Sequence, residues 1–220
     1  MRPGGISVSR WTPWVAGAAV LAVLVWVMPL VRIVPLEATR EQSAVAVFDP
    51  AARAAEFWTG PLQAAAADAV DAAELLGALA DDPAAAAARY GHRLGLATMS
   101  SYLVAGEGTI VSVDARSVAI SLDDDQDPGN DAEVVIELGP VFGNAIRDGS
   151  GLLDVSDFPN AQDFNALSAE INRRVEEEVL PALAAGAEAG RAVRFAGGVE
   201  VADASELPVL RVVPFRVEFP

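Results

Sequence analysis

An adjacent arginine and aspartate, Arg147-Asp148, have the clearest potential for chemistry in this sequence. A guanidinium group offers a planar fork of N–H donors that suits a carboxylate or a pair of sugar hydroxyls, and a neighbouring carboxylate accepts from hydroxyls. Gly143 precedes the pair and Gly149-Ser150-Gly151 follows it. Ligand recognition and a structural ion pair that fastens an irregular connection both remain open, and we expect Arg147 to matter more for architecture than for chemistry. The candidate binding residues are Arg147, Asp148, Asn144, Asp157 and Asn160.

The other polar motifs predict neither catalysis nor metal binding. Acids alternate through residues 123–131, as in calcium loops, but Pro128 and Val134 occupy the positions where an EF-hand needs glycine and glutamate. A solvated hairpin loop is the better interpretation. His92 has neither a designated nucleophile nor an orienting acid, and Glu176-Glu177-Glu178 is typical of a solvated helix face. We therefore predict no catalytic residue, no metal site and no cofactor.

The composition excludes several classes of function. The 220 residues carry a formal net charge of −16, and all 15 basic residues are arginines. A chain this acidic repels phosphate backbones, so we expect no nucleic-acid partner. The sequence has 0 cysteines, which excludes disulfides, thiol nucleophiles, cysteine-ligated metal centres and a lipid attached to a cysteine of these residues.

The start of the sequence predicts a membrane anchor. No charge lies between Arg10 and Arg32, and the apolar run Trp14 to Val31 would span roughly 27 Å as a helix, about the thickness of a bilayer core. We predict a cytoplasmic tail at residues 1–10 and a transmembrane anchor at residues 11–35. A cleaved signal is the alternative, although the run is long and no small-x-small motif follows it. Because basic residues precede the span, we expect a single-pass protein of the cell membrane with its C-terminal domain outside the cytoplasm.

Residues 36–95 are predicted to form a linker and an Ala-rich helical segment. Asp49-Pro50 has the residue types of a helix start, and Gly60-Pro61 ends that helix. Apolar residues at helical spacing predict a second helix from Pro61 to Ala80, and Asp81-Asp82-Pro83 stops it and caps a third. The apolar stripes are thin, so we expect these helices to pack on another element.

Residues 96–220 are predicted to form a small β-barrel domain. Beyond Tyr102 the apolar period changes from helical to alternating, which predicts three strands. An amphipathic helix from about Ala161 to Ala184 follows, capped by Asn160 or Asp157. The predicted strands are Thr109–Val113, Val118–Leu122, Val134–Leu138, Arg191–Ala202 folded at Gly197-Gly198, and Leu207–Phe219 with a bulge at Pro214. The residues predicted to be buried together are Val118, Ile120, Val134, Ile136, Leu167, Ile171, Val212 and Val217.

This order of elements predicts the fold class. Three strands, a helix and two strand regions is the order of an oligonucleotide/oligosaccharide-binding (OB) barrel, although other small α+β folds share it. We therefore predict an α+β protein with an N-terminal transmembrane helix, an Ala-rich helical segment, and an OB-like β-barrel that carries a helix between strands 3 and 4.

Several stretches resemble the bacterial family called domain of unknown function 2291, the predicted periplasmic lipoprotein family. The stretches that resemble its signatures and landmarks are Ser101 to Thr109, Gly139 to Asp148, Asp157-Phe158, Phe48-Asp49-Pro50, Trp58 and Tyr90 to Arg93. The resemblance spans about residues 45–219, and it departs from the family in lacking a lipidated cysteine, in Asn144 where Thr is expected, and in Pro159. The resemblance implies an exported, membrane-attached protein, often encoded beside sugar ABC transporters, with no established activity.

Two classes of function follow. We favour a membrane-anchored, extracytoplasmic, non-catalytic accessory or binding protein that assists a sugar ABC transporter, whose partners are the membrane, a transporter permease or solute-binding protein, and a sugar. The alternative is a hydrolase of envelope glycans or esters with an Asp-centred site. A hydrolase of that kind would need a pair of buried carboxylates with raised pKa in one cleft. A purely structural envelope protein is a third interpretation.

Overall fold

A computed structural model describes residues 48–93, 99–122, 132–202 and 209–220. The predicted tail and anchor, the linker before Phe48 and the loop at residues 123–131 lie outside the described residues. None of the helices in the described ranges is long and apolar enough to cross a membrane. Residues 48–220 belong to one unit, in which helices pack against a single sheet.

The first helix, α1, spans Pro50–Thr59 and confirms the prediction for this region. Asp49 caps it by accepting from the Ala52 N–H at 3.0 Å, and Pro50 occupies a first-turn position where its missing N–H costs nothing. Phe57 and Trp58 are buried, and Trp58 meets Phe215 edge-on at a centroid distance of 6.5 Å. The Ala-rich helical segment, whose apolar stripes are thin, therefore packs on the β-barrel, as expected.

The single helix predicted from Pro61 to Ala80 is wrong. The chain forms α2 (Pro61–Ala65), a short strand β1 (Val70–Asp71) and α3 (Ala72–Asp81) instead. The break has two causes: β1 pairs in parallel with Val104 and Ala105, and the Asp71 carboxylate accepts from two N–H groups of the following turn, so a new helix begins there. The third predicted helix, α4 (Pro83–Tyr90), is capped by Asp82 as expected.

The sheet has the connectivity of an OB barrel. Its strands are β2 (Ser100–Val113), β3 (Ser117–Ser121), β4 (Val134–Glu137), β5 (Ala192–Val201), β6 (Leu210–Arg211) and β7 (Val213–Glu218). The order of neighbours is β6-β4-β3-β2-β5-β7, with β1 beside β2. Because β6 and β7 belong to one C-terminal segment, that segment pairs with β4 at its start and with β5 along the rest. The sheet therefore curls back on itself.

The turn predicted at Gly197-Gly198 is wrong, because β5 runs continuously through both glycines. These glycines allow close packing: a Cβ on Gly198 would lie 2.3 Å from the backbone of Ala145, and one on Gly197 would lie 2.5 Å from Val212. The bulge predicted at Pro214 is confirmed, since the β5–β7 register shifts between Ala196 and Gly197.

A long helical segment covers the barrel between β4 and β5. It consists of α6 (Ala161–Arg174), one π-helical turn (Val175–Val179) and α7 (Leu180–Gly186). Pro181 lacks an N–H and crowds the preceding turn, which accounts for the widened π turn directly before it. Of the residues predicted to be buried together, all are buried except Val217, which is half-buried against the core.

Candidate functional site

A short helix, α5 (Ala145–Gly149), carries the central candidate residue into the barrel wall. Gly149 packs so closely on β2 that a Cβ would lie 2.5 Å from the carbonyl oxygen of Tyr102, while Gly198 of β5 makes room for the start of the helix. Since both sides of α5 pack against strands, Arg147 in its middle is only 5% exposed.

Arg147 and Asp148 form the ion pair that the sequence indicates. The Arg147 Nε donates to Asp148 Oδ1 at 2.5 Å and Nη2 donates to Oδ2 at 3.2 Å, so the carboxylate is bound through both oxygens. Nη1 donates to Asn165 Oδ1 at 3.4 Å, and the guanidinium carbon lies 3.8 Å from the centroid of the Phe164 ring. The guanidinium therefore binds side chains of α5 and α6 rather than loop carbonyls.

A row of aromatic side chains continues from this ion pair to Phe48. Phe164 lies 5.0 Å from Phe158, and Phe158 lies 5.6 Å from Phe48 in an edge-on arrangement. Such aromatic contacts add to the burial of the rings themselves. Arg147, Asp148, Asn165 and Phe164 form what we call the Arg147 cluster. This cluster packs against aromatic rings on one side and is paired through hydrogen bonds on the other.

A groove of about 350 Å³ borders this cluster, between the loop at residues 141–144 and one face of α6. Its lining consists of Val141, Phe142, Gly143, Asn144, Asn165, Ser168, Ala169, Asn172, Arg173 and Glu176. Of the candidate residues, Asn144 is in the groove wall. Arg147 does not line the groove, but it contacts the groove residue Asn165.

Four hydrogen bonds hold the 141–144 loop against its surroundings. Asn172 Nδ2 donates to the carbonyl oxygens of Gly143 at 3.0 Å and Val141 at 3.4 Å, and the Val141 N–H donates to Glu176 Oε1 at 2.7 Å. The Asn144 N–H donates to Glu200 Oε1 at 3.0 Å. Gly143 has a φ of +83°, a conformation that glycine adopts without strain. These hydrogen bonds therefore fix the position of the loop that forms one wall of the groove.

The groove leaves neutral polar groups without partners among the described residues. Ser168 is 5% exposed, and its Oγ is one of two buried side-chain atoms there with no hydrogen bond, the other being Arg174 Nε. Asn165 Oδ1 is bound by Arg147, whereas the hydrogen bonds of Asn172 use only its Nδ2. At the mouth, Phe142 is 81% exposed. A buried hydroxyl without a partner is costly, so a ligand group or a water that bound the Ser168 hydroxyl would recover part of that cost.

The two ionisable residues of the lining are engaged elsewhere. Arg173 forms ion pairs with Glu170 and Glu177, and these acids hold its pKa above the ordinary value for arginine. Glu176 accepts from the Val141 N–H. The groove therefore offers a ligand no free cationic group from its lining residues, and one oxygen of its carboxylate, that of Glu176, is already bound.

Asp157 and Asn160 take capping positions away from the groove lining. Asp157 accepts from the Asp154 N–H at 3.2 Å in the capping box of a short 3₁₀ turn, Val155–Asp157. Asn160 caps α6, accepting from the Asp163 N–H at 2.9 Å. Both are exposed. The structure thus brings Arg147, Asp148 and Asn144 into one region and gives Asp157 and Asn160 local backbone roles.

Sequence reasoning missed the polar face of α6. Asn165, Ser168 and Asn172 recur at intervals of three and four residues, which places them on one side of a helix. That spacing was a usable signal for a polar stripe. Phe142 and Glu200 gave no comparable signal, because their roles depend on how the loop folds over α6 and β5.

Comparisons with known proteins agree with this architecture. The model of a family described as predicted periplasmic lipoprotein, domain of unknown function 2291 (DUF2291), matches residues 21–218. The chain belongs to this family. Its description suggests that this DUF2291 protein is extracytoplasmic and associated with a membrane.

A solved structure supports the fold. The crystal structure of an OB-fold protein from Thermotoga maritima MSB8, determined at 1.90 Å, is similar with a TM-score of 0.68 and 26% sequence identity, covering 79% of this chain and 99% of that chain. The predicted OB-like fold of the β domain is thereby confirmed. A search of curated proteins found no match to this chain.

Proposed function

We propose that this DUF2291 protein is a membrane-anchored, extracytoplasmic accessory protein that binds without catalysing and assists a sugar ABC transporter. The observation that carries the proposal is the groove beside the Arg147 cluster, in which Ser168 keeps a buried hydroxyl without a partner among the described residues. An organised wall with unused neutral hydrogen-bonding groups suits binding of a small molecule.

The charged side chains near the groove support a non-catalytic role. A hydrolase with an Asp-centred site needs a carboxylate that is free to act on a substrate, usually with a second one nearby. Asp148 is instead bound through both oxygens by Arg147. Within the described residues, the buried polar and charged side chains are Arg147 and the serines at 100, 101, 121, 150 and 168, with no carboxylate among them.

The proposed association with a transporter rests on the family and on the expected location of the protein at the membrane. The sequence resemblance implies members encoded beside sugar ABC transporters, and the family description suggests the compartment where transporters receive their solutes. The apolar run from Trp14 to Val31 has the length of a membrane-spanning helix, which would hold the folded unit close to a permease.

Affinity purification of the full chain from native membranes tests the association. We expect a permease or a solute-binding protein, identified by mass spectrometry, to be enriched with the tagged protein. The matched control fuses residues 1–47 to an unrelated folded domain. Equal enrichment with that control, or enrichment of no transporter component, would contradict the proposal.

Activity assays test the non-catalytic part. The purified protein should release no product from peptidoglycan or from chromogenic esters. Turnover that disappears in Asp148→Asn, with an unchanged melting temperature, would establish the hydrolase instead.

A further inference from the structure

We infer that the groove between the 141–144 loop and α6 binds one neutral polyhydroxylated ring, a monosaccharide or a cyclic polyol. The inference rests on the proposed function, because it names the ligand class of the same binding protein. It depends on the hydrogen-bonding groups that the groove residues have left, on the size of the groove, and on the lack of a free cationic group among its lining residues.

Arg147 fixes the orientation of the Asn165 amide. A guanidinium group has only donors, so the atom of Asn165 that lies 3.4 Å from Nη1 must be the carbonyl oxygen. The Asn165 NH₂ group is then left as a double donor. Arg147 is therefore a positioning residue for this site, although it does not line the groove itself.

Asn172 offers a hydrogen-bond acceptor, whereas Asn165 offers a donor. Its Nδ2 donates to the carbonyls of Val141 and Gly143, which leaves Oδ1 as an acceptor. Ser168 lies between the two asparagines on the same helix face, and its hydroxyl both donates and accepts. One side of the groove thus offers a donor, a hydroxyl and an acceptor in sequence. Neighbouring ring hydroxyls, each of which donates and accepts, match such a series.

The dimensions fit a single ring. Asn172 lies seven positions after Asn165, which corresponds to roughly 10 Å along a helix. The groove volume of about 350 Å³ lies at the lower end of the range for small-molecule sites, which begins at about 300 Å³. The Phe142 ring, 81% exposed at the mouth, supplies the flat apolar surface on which the C–H face of a sugar ring packs.

The charges of the groove favour a neutral ligand over an anion. A phosphate or carboxylate would bind best to a free guanidinium group, and Arg173 of the lining is paired with Glu170 and Glu177. Arg147 is paired with Asp148. The net charge of −16 opposes anion binding further.

Two-dimensional ¹H–¹⁵N NMR of the side-chain amides tests the inference directly. The full chain in detergent would be titrated with D-glucose, D-ribose and myo-inositol, and separately with D-glucuronate and glucose 6-phosphate. We expect the neutral rings to shift the amides of Asn144, Asn165 and Asn172, with at least one neutral ring binding about tenfold more tightly than either anion. The exposed amide of Asn160 serves as an internal control and should not move.

Variants separate the site from the fold. Ser168→Ala should weaken binding of the best neutral ring about tenfold, the loss expected for one hydrogen bond. Phe142→Ala should weaken it by a similar factor. Gln162→Ala, at an exposed position of α6 outside the groove, should leave the affinity unchanged. Melting temperatures of all three variants should stay close to that of the parent.

Two results would overturn the inference: shifts of the groove amides by the anions alone, or no groove shift with any neutral ring at millimolar concentrations. Either result leaves the transporter association to be judged separately by affinity purification. Sugar binding without a co-purifying transporter would contradict the proposed function and support the inference.

Discussion

Arg147 and Ser168 are equally hidden from solvent, each with 5% exposure, yet their surroundings differ completely. Arg147 binds Asp148 and Asn165 through hydrogen bonds and stacks on Phe164. The Ser168 hydroxyl has no hydrogen-bond partner among the described residues. The two side chains belong to neighbouring elements, and Asn165, which Arg147 binds, lies three residues before Ser168 on α6, so the contrast lies within a few residues.

This contrast distinguishes buried polar side chains that are paired within the fold from buried polar side chains that are left for a ligand to bind. A buried polar group that is fully paired has its desolvation compensated, and removing one partner leaves the other uncompensated. A buried group without a partner costs stability, and a ligand that binds it recovers that cost. Burial alone therefore does not identify a functional residue, whereas a missing partner in a groove marks a position where a ligand group would recover free energy.

The largest expected effect concerns the packing that holds the Arg147 helix in place. Gly198→Ala would put a Cβ within 2.5 Å of three backbone atoms of Ala145 and Ile146, and backbone cannot move aside cheaply. We expect the free energy of unfolding to fall by about 3 kcal/mol. Urea denaturation measures it.

Gly77→Ala is the matched control, because a Cβ there meets nothing within 4 Å in an exposed part of α3. That variant should be more stable by up to about 1 kcal/mol, since alanine favours helix. Equal stabilities of the two variants would show that α5 does not pack on β5 as described.

Arg147→Lys tests how much the fully paired guanidinium group of Arg147 contributes to stability. An ammonium group cannot bind both Asp148 oxygens and Asn165 while stacking on Phe164, so we expect a loss of about 1–3 kcal/mol in thermal or urea unfolding. Arg173→Lys, which changes an exposed network with Glu170 and Glu177, should lower the stability far less than Arg147→Lys does. An unchanged melting temperature of Arg147→Lys together with lost transporter association would make Arg147 a recognition residue instead.

Ser168→Ala and Ser150→Ala compare two buried serines. Ser150 Oγ donates to the Arg147 carbonyl at 2.7 Å, so its removal should cost about 1 kcal/mol. Ser168 has no hydrogen bond to lose among the described residues, and we expect its removal to leave stability within about 0.5 kcal/mol or to raise it slightly. Chemical denaturation of both variants in the absence of ligand decides the comparison. A larger loss at Ser168 than at Ser150 would mean that the Ser168 hydroxyl is already satisfied.

Local signals explain which parts of the fold were predictable. The Asp49-Pro50 helix start, the Asp82 cap, the alternating strands and the apolar stripe of α6 depend on neighbouring residues, and all appear in the structure. The errors involve partners distant in sequence. Val70-Asp71 leaves its helical pattern to pair with β2, and Gly197-Gly198 continue a strand because α5 and β7 pack against them.

The candidate site shows the same limit. The Arg147-Asp148 pair could be predicted because its members are adjacent in sequence. Asn165 and Ser168 could be recognised as a polar stripe but not as a groove wall, because the loop that faces them is 21 residues or more away and is fastened by Asn172 and Glu200. Asp157 and Asn160 were predicted as binding residues. Their side chains instead accept hydrogen bonds from nearby backbone N–H groups and cap the local helical turns.

The smallest expected effect comes from an exposed side chain that is nevertheless fully paired. Asp114, in the β2–β3 turn, accepts from the N–H groups of Arg116 at 2.7 Å and Ser117 at 3.0 Å, and from the Ser117 hydroxyl at 2.8 Å. These hydrogen bonds, that of Arg116 first, lower the pKa of the Asp114 carboxyl below its ordinary value of 3.8. The charged form is favoured by folding, so this stabilisation is present above that ordinary value and is lost as the pH falls through the lower folded pKa.

Carboxyl-carbon NMR during an acid titration measures the Asp114 pKa directly. Ser117→Ala removes the hydroxyl donor and should raise the Asp114 pKa part of the way back toward its ordinary value. Ser156→Ala is the control, because its backbone N–H and hydroxyl belong to the separate Asp154 turn, where the same kind of bonding lowers another carboxyl pKa. An Asp114 pKa that does not respond to Ser117→Ala would show that backbone donors alone hold the turn. That result would extend the contrast drawn for Arg147 and Ser168: pairing, here with the backbone, would then decide the energetics of a polar side chain at the surface as well.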